Sequence, residues 1–500
     1  MIPLIVCSAC LFFATIQQAS GQSSYDSLVD KAKTLSYDVQ LNEAERLFTE
    51  ASRISPERAE AYFNIAQIRL WIFLGTDNHS DYTDFMKWFR LTVDKGERLI
   101  ELNPNNYKAA YLLGNTYTMQ AIAETTLHSY LAAFSAVRSA SNYYDMALEL
   151  TPNFYDAYRG AGEIHYFLDF LPGTVKWALP LVGLSANRSA GLSEVRLAYE
   201  KGTTDKIRSA LSLAEIYSNY LAEYDSAEAL MRELVKKFPR NPMFNYHLAV
   251  ILIKERNLHE AEKYLDAVID LNDPRFMVLN NLSVFLKGDI YFKLNDFQNA
   301  IKYNELFLSR TNQTDYTGIA NYRLAMCYRI LGNNDMSKKC LLNAENGNND
   351  IYDDSFSKER SREFLRYGIS SDEIMVCEMN NDLEAGKYEE LYSSLQPALK
   401  HIQNEDTRAE ALLVLSEAAT RLGKFTEGIR YSREADSVDA DYENWLKPRS
   451  WFLIALCSYS CGDMATAKRF LDKAEGTDEY ARNNLLNAEL NNLERKLYGK

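Results

Sequence analysis

Histidine, cysteine, proline and glycine are all scarce in this chain of 500 residues, at 6, 7, 11 and 21 copies. So little glycine and proline argues against the turn-rich chains of sandwiches and barrels, and the plentiful alanine, leucine and glutamate favour helix. The six histidines, His79, His128, His165, His247, His259 and His401, form no HExxH and no pair at ligand spacing, so a metal site has no local support. No P-loop, GxSxG or GxGxxG occurs, which leaves no nucleotide or acyl-transfer signature. Basic residues are outnumbered 55 to 69, a net charge of −14. That balance argues against a nucleic-acid partner, because phosphate binding needs basic patches. It also argues against polybasic attachment to an anionic membrane.

What is present at the N-terminus is an apolar run from Leu4 to Ile16, of signal-core length and too short to span a bilayer. Ala19 and Gly21 are placed for cleavage before Gln22, although Met1-Ile2-Pro3 lacks the usual basic residue. The expectation is a signal peptide over 1–21 and an exported protein, periplasmic or associated with an outer membrane. Cys7 and Cys10 invite a lipoprotein reading, but Cys7-Ser8-Ala9 precedes Cys10 where a lipid-attachment motif wants leucine first. Cys327, Cys340, Cys377, Cys457 and Cys461 remain, too few and too odd for a disulfide framework. Cys457 and Cys461, one helical turn apart, are expected to be buried as small apolar groups.

Helical periodicity runs through the rest. Trp451, Ile454 and Ala455 share one helix face, Gly462-Asp463 makes a turn, and Ala467, Leu471 and Ala474 share the face of a second helix. The same grammar recurs with Leu248, Ala249, Ala261 and Leu265, with Gly288, Tyr291 and Ala300, and with Ala325, Tyr328, Leu341 and Ala344. Small residues at these points let two antiparallel helices approach closely. Leu113-Gly114, Tyr117, Ala140, Tyr144, Ala147 and Pro152 follow in order, as do Ala44, Phe48, Ala51 and Pro56. In this the chain resembles the tetratricopeptide repeat family, whose unit has about 34 residues. The resemblance covers most of residues 25–475. It implies an all-α solenoid of tandem helix-turn-helix repeats forming a right-handed superhelix, which binds partners in its concave groove.

Three departures stand out. Pro56, Pro104 and Pro152 are spaced 48 residues apart, so two units are longer than the family norm, the excess lying around Gly75–Asp84 and Ala121–Ala132. The segment Phe167–Ser185, FLDFLPGTVKWALPLVGLS, separates two helices of one unit and is too rich in proline and glycine for a continuous helix. It reads either as a hydrophobic insert folded into the core or as an exposed patch that docks a partner or a bilayer. The repeat pattern then lapses from Glu345 to Ser371. The expected division is a signal peptide (1–21), an N-terminal superhelix with extended repeats (22–344), a polar irregular linker (345–371), C-terminal repeats (372–477) and a capping helix (478–500).

The outward positions of each first helix place Phe63, Tyr111, Arg159, Tyr246 and Tyr322 in one row of the concave wall, and Gln67, Asn115, Glu163, Val250 and Met326 one turn later. Tyrosine and arginine suit recognition surfaces, though some of these rings are equally expected to pack on the neighbouring unit. The family's carboxylate clamp wants lysine where Tyr111 stands, so binding of chaperone C-termini is not expected. Glu163 and His165, two apart, point to different faces, and His165 is expected to be a packed core histidine. The functional expectation is a non-catalytic protein-interaction scaffold of the cell envelope, with a protein or peptide partner, no cofactor and no metal. The alternative is an exported glycan- or solute-binding protein on the same scaffold.

Overall fold

In the computed structural model, which describes residues 24–438, 444–477 and 483–499, helix follows helix and no strand occurs among the described residues. The chain is an all-α helical repeat solenoid. The expected signal peptide lies outside the described residues, as do Asp478–Arg482 at the start of the expected cap. No helix among the described residues is long and apolar enough to cross a membrane.

The chain divides into two compact units. The first holds residues 24–214, 230–245 and 271–279, and the second holds 215–229, 246–270 and 280 onward. The expected boundary at 345–371 therefore falls inside the second unit. That stretch is also not an irregular linker. Only a short turn precedes the helix Tyr352–Tyr367, which buries Phe356 and Phe364. Its Asp354 is 1% exposed, and its carboxylate accepts the backbone N–H of Ile319 at 2.8 Å and of Asn348 at 3.0 Å. Asp354 thus caps the neighbouring helix Thr317–Ile330, whose own preceding residue, Tyr316, makes no side-chain cap. Burial pushes the Asp354 carboxyl up to about 6 despite those donors. Within the expected linker, Asp354 is a cap supplied from another helix.

The longer repeats of the first unit are built from longer helices. Ala59–Thr76, His79–Leu102, Tyr107–Thr126 and Tyr130–Leu150 have 18, 24, 20 and 21 residues. Phe297–Arg310, Thr317–Ile330 and Asn334–Ala344 in the second unit have 14, 14 and 11. Close packing in the first unit depends on glycine. Tyr144 is fully buried, and a β-carbon on Gly114 or on Gly160 would stand 2.7 or 2.0 Å from its ring. The ring fills the space that both glycines leave, so three consecutive helices interlock around one side chain worth about 1.5–3 kcal/mol of burial. In the second unit the turns are the regular feature. Gly332, Gly423 and Gly462 adopt φ near +80°, which only glycine takes at little cost. Asp463 then caps the next helix by accepting the Thr466 N–H. Ile454, Ala455, Ala467, Leu471 and Ala474 are all buried there. Cys457 is buried beside Thr420, but Cys461 ends its helix exposed, because the turn at Gly462 carries it out of the interface.

Candidate functional site

Four of the ten residues marked out by repeat position meet in the first unit. Tyr111 and Asn115 come from the helix Tyr107–Thr126, and Arg159 and Glu163 from Ala157–Leu168. They converge on Asp205, which the sequence did not single out. A loop clasp delivers it: the buried carboxylate of Asp156 accepts the backbone N–H groups of Thr203, Thr204 and Asp205 at 3.0–3.2 Å. With its backbone pinned, Asp205 is only 5% exposed.

Each Arg159 nitrogen has its own acceptor. Nε donates to Asp205 at 3.0 Å, one Nη donates to Glu163 at 2.8 Å, and the other donates to the Asn115 side-chain oxygen. Tyr111 donates its hydroxyl to Asp205 at 2.7 Å, and Tyr144 donates to the same Asn115 oxygen at 2.9 Å. Ser212 donates to Glu163, and Arg208 donates Nε to the second Asp205 oxygen. Two guanidinium groups thus face two carboxylates, and the set is neutral. Burial works against ionisation of Asp205, yet Arg208 and Arg159 outweigh it and hold its carboxyl below the ordinary range. Burial likewise opposes the charge on Arg159, and Glu163 and Asp205 outweigh it. Burial and then Asp205 push the Tyr111 phenol well upward, so Tyr111 stays a hydrogen-bond donor.

Burial corrects the expected concave row. Asn115, Arg159 and Phe63 are only 2, 5 and 6% exposed. Phe63 packs with Leu70, Phe73, Phe85 and Phe89. The long helices and their glycine contacts bring these side chains too close together to leave them on an open wall. The half-buried members are Gln67, Tyr111 and Glu163, joined by Tyr37, Arg208 and Ser212. Tyr37 lies in an aromatic group with Trp71, Phe238 and Phe244, ring centroids 5.4–6.1 Å away. Arg208 lies over the Phe63 ring at 5.2 Å, and its charge bears on both Tyr37 and Tyr111. Among the described residues only Nε of Arg208 is hydrogen-bonded, which leaves its two terminal nitrogens without a partner. A half-buried guanidinium edged by aromatic rings suits an anionic or carbonyl-rich ligand.

Tyr246 and Tyr322 lie in the second unit and do not join this group. Tyr322 stacks on Phe364 at 6.2 Å and meets Phe356 edge-on at 5.8 Å, so its ring serves packing between helices. Burial raises the Tyr246 phenol, which is half-buried. His165 does turn away from Glu163, as its spacing implied, but it is more than a packed ring. Its Nδ1 lies 2.7 Å from Glu194, which raises its pKa above the ordinary value against the effect of burial. Among the described residues no group of three His, Cys, Asp or Glu side chains could hold a metal ion. A shallow depression is lined by Val39, Gln40, Leu41, Asn42, Glu43 and Arg275, where Arg275 donates to the Asn42 side-chain oxygen at 3.3 Å.

Sequence reading missed Tyr37, Asp205 and Arg208. The legible signal was Thr203-Thr204-Asp205, a helix-start pattern, with Arg208 three residues on. It pointed to a cap, whereas the Asp205 side chain is spent on the interior.

Residues 105–349 match the family model described as Iml2/Tetratricopeptide repeat protein 39, a span just short of half the chain. Among solved structures, the chain is similar to the crystal structure of the P58(IPK) TPR domain at 13% identity, covering 91% of this chain and 99% of that one, with a TM-score of 0.24. A superposition that loose leaves the fold to rest on the helices themselves.

Proposed function

We propose, from the premise that the chain is a tetratricopeptide-repeat protein, that it is a non-catalytic scaffold of the cell envelope which holds a protein or peptide partner against the polar-aromatic cluster of its first unit. Proteins with this repeat commonly mediate protein–protein interactions. The observation that carries the finer reading is Arg208, a half-buried guanidinium with two unpartnered nitrogens beside Phe63, Tyr37 and Tyr111. The network behind it fixes that position, since Asp205 is gripped by Arg159 and Tyr111 as well. A recognition group held this rigidly loses little freedom on binding. The partner chemistry it suits is an extended segment offering carboxylates or backbone carbonyls to arginine and apolar groups to the rings.

The location rests on the apolar segment Leu4–Ile16 and the small residues after it. The test is affinity capture from an envelope extract with the wild-type chain, Arg208→Met and Tyr322→Phe. The expected result is one specific partner retained by wild type and Tyr322→Phe and reduced at least tenfold with Arg208→Met. Equal capture by all three would contradict the assigned surface, and no captured protein would contradict the scaffold role.

A further inference from the structure

The segment Phe167–Ser185 does two things at once. Leu168, Leu179 and Leu184 are 8, 2 and 2% exposed and join the core made by Ala157, Ala161 and Ile164. Two short helical turns, Gly173–Lys176 and Leu179–Val182, lie between these anchors. They leave Phe167, Phe170, Val175, Trp177 and Leu181 outward, and Trp177 and Leu181 are 70 and 75% exposed.

A second exposed group lies at the same end of the unit. Tyr144 contacts Gly160, and the helices Tyr130–Leu150 and Ala157–Leu168 run antiparallel from there. Their far ends are the start of the first and the finish of the second. Val137 packs on the same core as Leu168, Leu179 and Leu184. Leu131, less than two turns before Val137, is 90% exposed, and Tyr130 and Phe134 are exposed beside it. So many outward aromatic and aliphatic side chains at one end exceed the scattered apolar exposure of an ordinary surface.

Charge identifies what would cover them. The chain as a whole is acidic, 69 carboxylates to 55 bases, yet neither Leu127–Tyr144 nor Phe170–Ser193 contains an Asp or Glu. The charged residues within these two stretches are Arg138, Lys176 and Arg188. The nearby Asp169 accepts from Lys176 at 3.1 Å and from Arg188 at 2.6 Å, and Arg188 lies over the Phe170 ring at 4.9 Å. Counting Asp169, these stretches hold three bases to one carboxylate, and the flanking Glu194 is paired with His165. Apolar side chains with tryptophan and tyrosine, edged by lysine and arginine, match the headgroup layer of a bilayer. Exclusion of acidic residues matches anionic lipid in particular.

We infer that this end of the first unit docks onto an anionic phospholipid surface. Trp177, Leu181, Phe170 and Leu131 enter the headgroup layer, and Arg138, Lys176 and Arg188 stay at the lipid phosphates. Burial of apolar groups supplies most of the hold, consistent with a net charge that disfavours polybasic attachment. The surface is separate from the Arg208 cluster, so either assignment stands without the other.

Flotation of the full chain with phosphatidylcholine vesicles, with and without phosphatidylglycerol, tests this. Because Leu4–Ile16 is itself apolar, the comparison with Trp177→Ser/Leu181→Ser carries the inference. Both positions are exposed, so the variant should keep the wild-type melting temperature. The expected result is flotation with phosphatidylglycerol vesicles, at least tenfold weaker in the variant and weaker without phosphatidylglycerol. Equal flotation of variant and wild type, or none, would overturn the proposal. Flotation indifferent to phosphatidylglycerol would overturn its anionic part. Sedimentation showing a dimer that the same substitutions dissociate would assign the patch to a second copy instead.

Discussion

In the first unit Arg159 and Arg208 share Asp205; in the second, Arg256 and Arg449 share Glu417. Both acids are almost fully buried, and both are held below the ordinary carboxylate range against the cost of burial, by Arg208 and Arg159 in one case and by Arg449 and Arg256 in the other. The difference lies in what the arginines do with their remaining nitrogens. Arg256 also engages Glu384 and the Tyr388 hydroxyl, and Arg449 also engages Glu489. Those partners come from different helices, so the second network is a tie between repeats. Arg208 spends Nε alone and keeps two donors beside aromatic rings. Burying an ion pair is weak evidence for stability in itself. A network in which every terminal guanidinium nitrogen is engaged therefore points to structural registry, and one with terminal nitrogens left over beside half-buried rings points to recognition.

The largest effect that separates the two is expected from Glu417→Ala. It removes the acid that Arg256 and Arg449 share, leaving them Glu384 and Glu489, and should cost about 3 kcal/mol in chemical denaturation, with no loss of partner capture. Next comes Gly160→Ala, whose methyl would fall 2.0 Å from the Tyr144 ring. Displacing that ring should cost about 1–3 kcal/mol and weaken capture too, because the Tyr144 hydroxyl supports Asn115 and through it Arg159. Arg208→Met should cost only about 1 kcal/mol, since Asp205 keeps Arg159 and Tyr111, while capture falls at least tenfold. A large stability loss with unchanged capture would assign Arg208 to the scaffold and erase the contrast.

The smallest effect is the pH response of His165. Its folded pKa is raised above the ordinary 6.5 by Glu194, so the stability it contributes is fully present below 6.5 and is lost as pH rises through the folded value. His165→Gln should flatten the melting temperature against pH above 6.5 and leave it unchanged in slope elsewhere. An unaltered profile would mean that the Nδ1–Glu194 contact carries no net proton linkage.

Much of the architecture is legible because repeat periodicity is a local property. Ala455, Ala467 and Leu471, or Gly114 and Tyr144, announce helix faces and close approaches within a few turns of sequence. The stretch 345–371 lacks the repeat pattern, and that lapse does not reveal the helix Tyr352–Tyr367 within it. Only tertiary structure brings Asp354 to the start of another helix, with Gly318 and Gly347 pressed against its carboxylate. The candidate site was legible in half. Repeat position aligned Tyr111, Asn115, Arg159 and Glu163, but Tyr37, Asp205 and Arg208 are separated from them by dozens of residues and by an unrelated loop. Repeat position also could not tell a groove residue from a packing residue, which is why Tyr322 fell in the same row as Tyr111.

The most direct test of the central contrast is hydrogen exchange on the full chain with and without its captured partner. Binding at the Arg208 cluster predicts new protection at residues 34–38, 63–67, 107–115 and 203–212, with little change at the Glu417 network around 413–421 and 446–453. Protection confined to the Glu417 region, with the first unit unaltered, would contradict it.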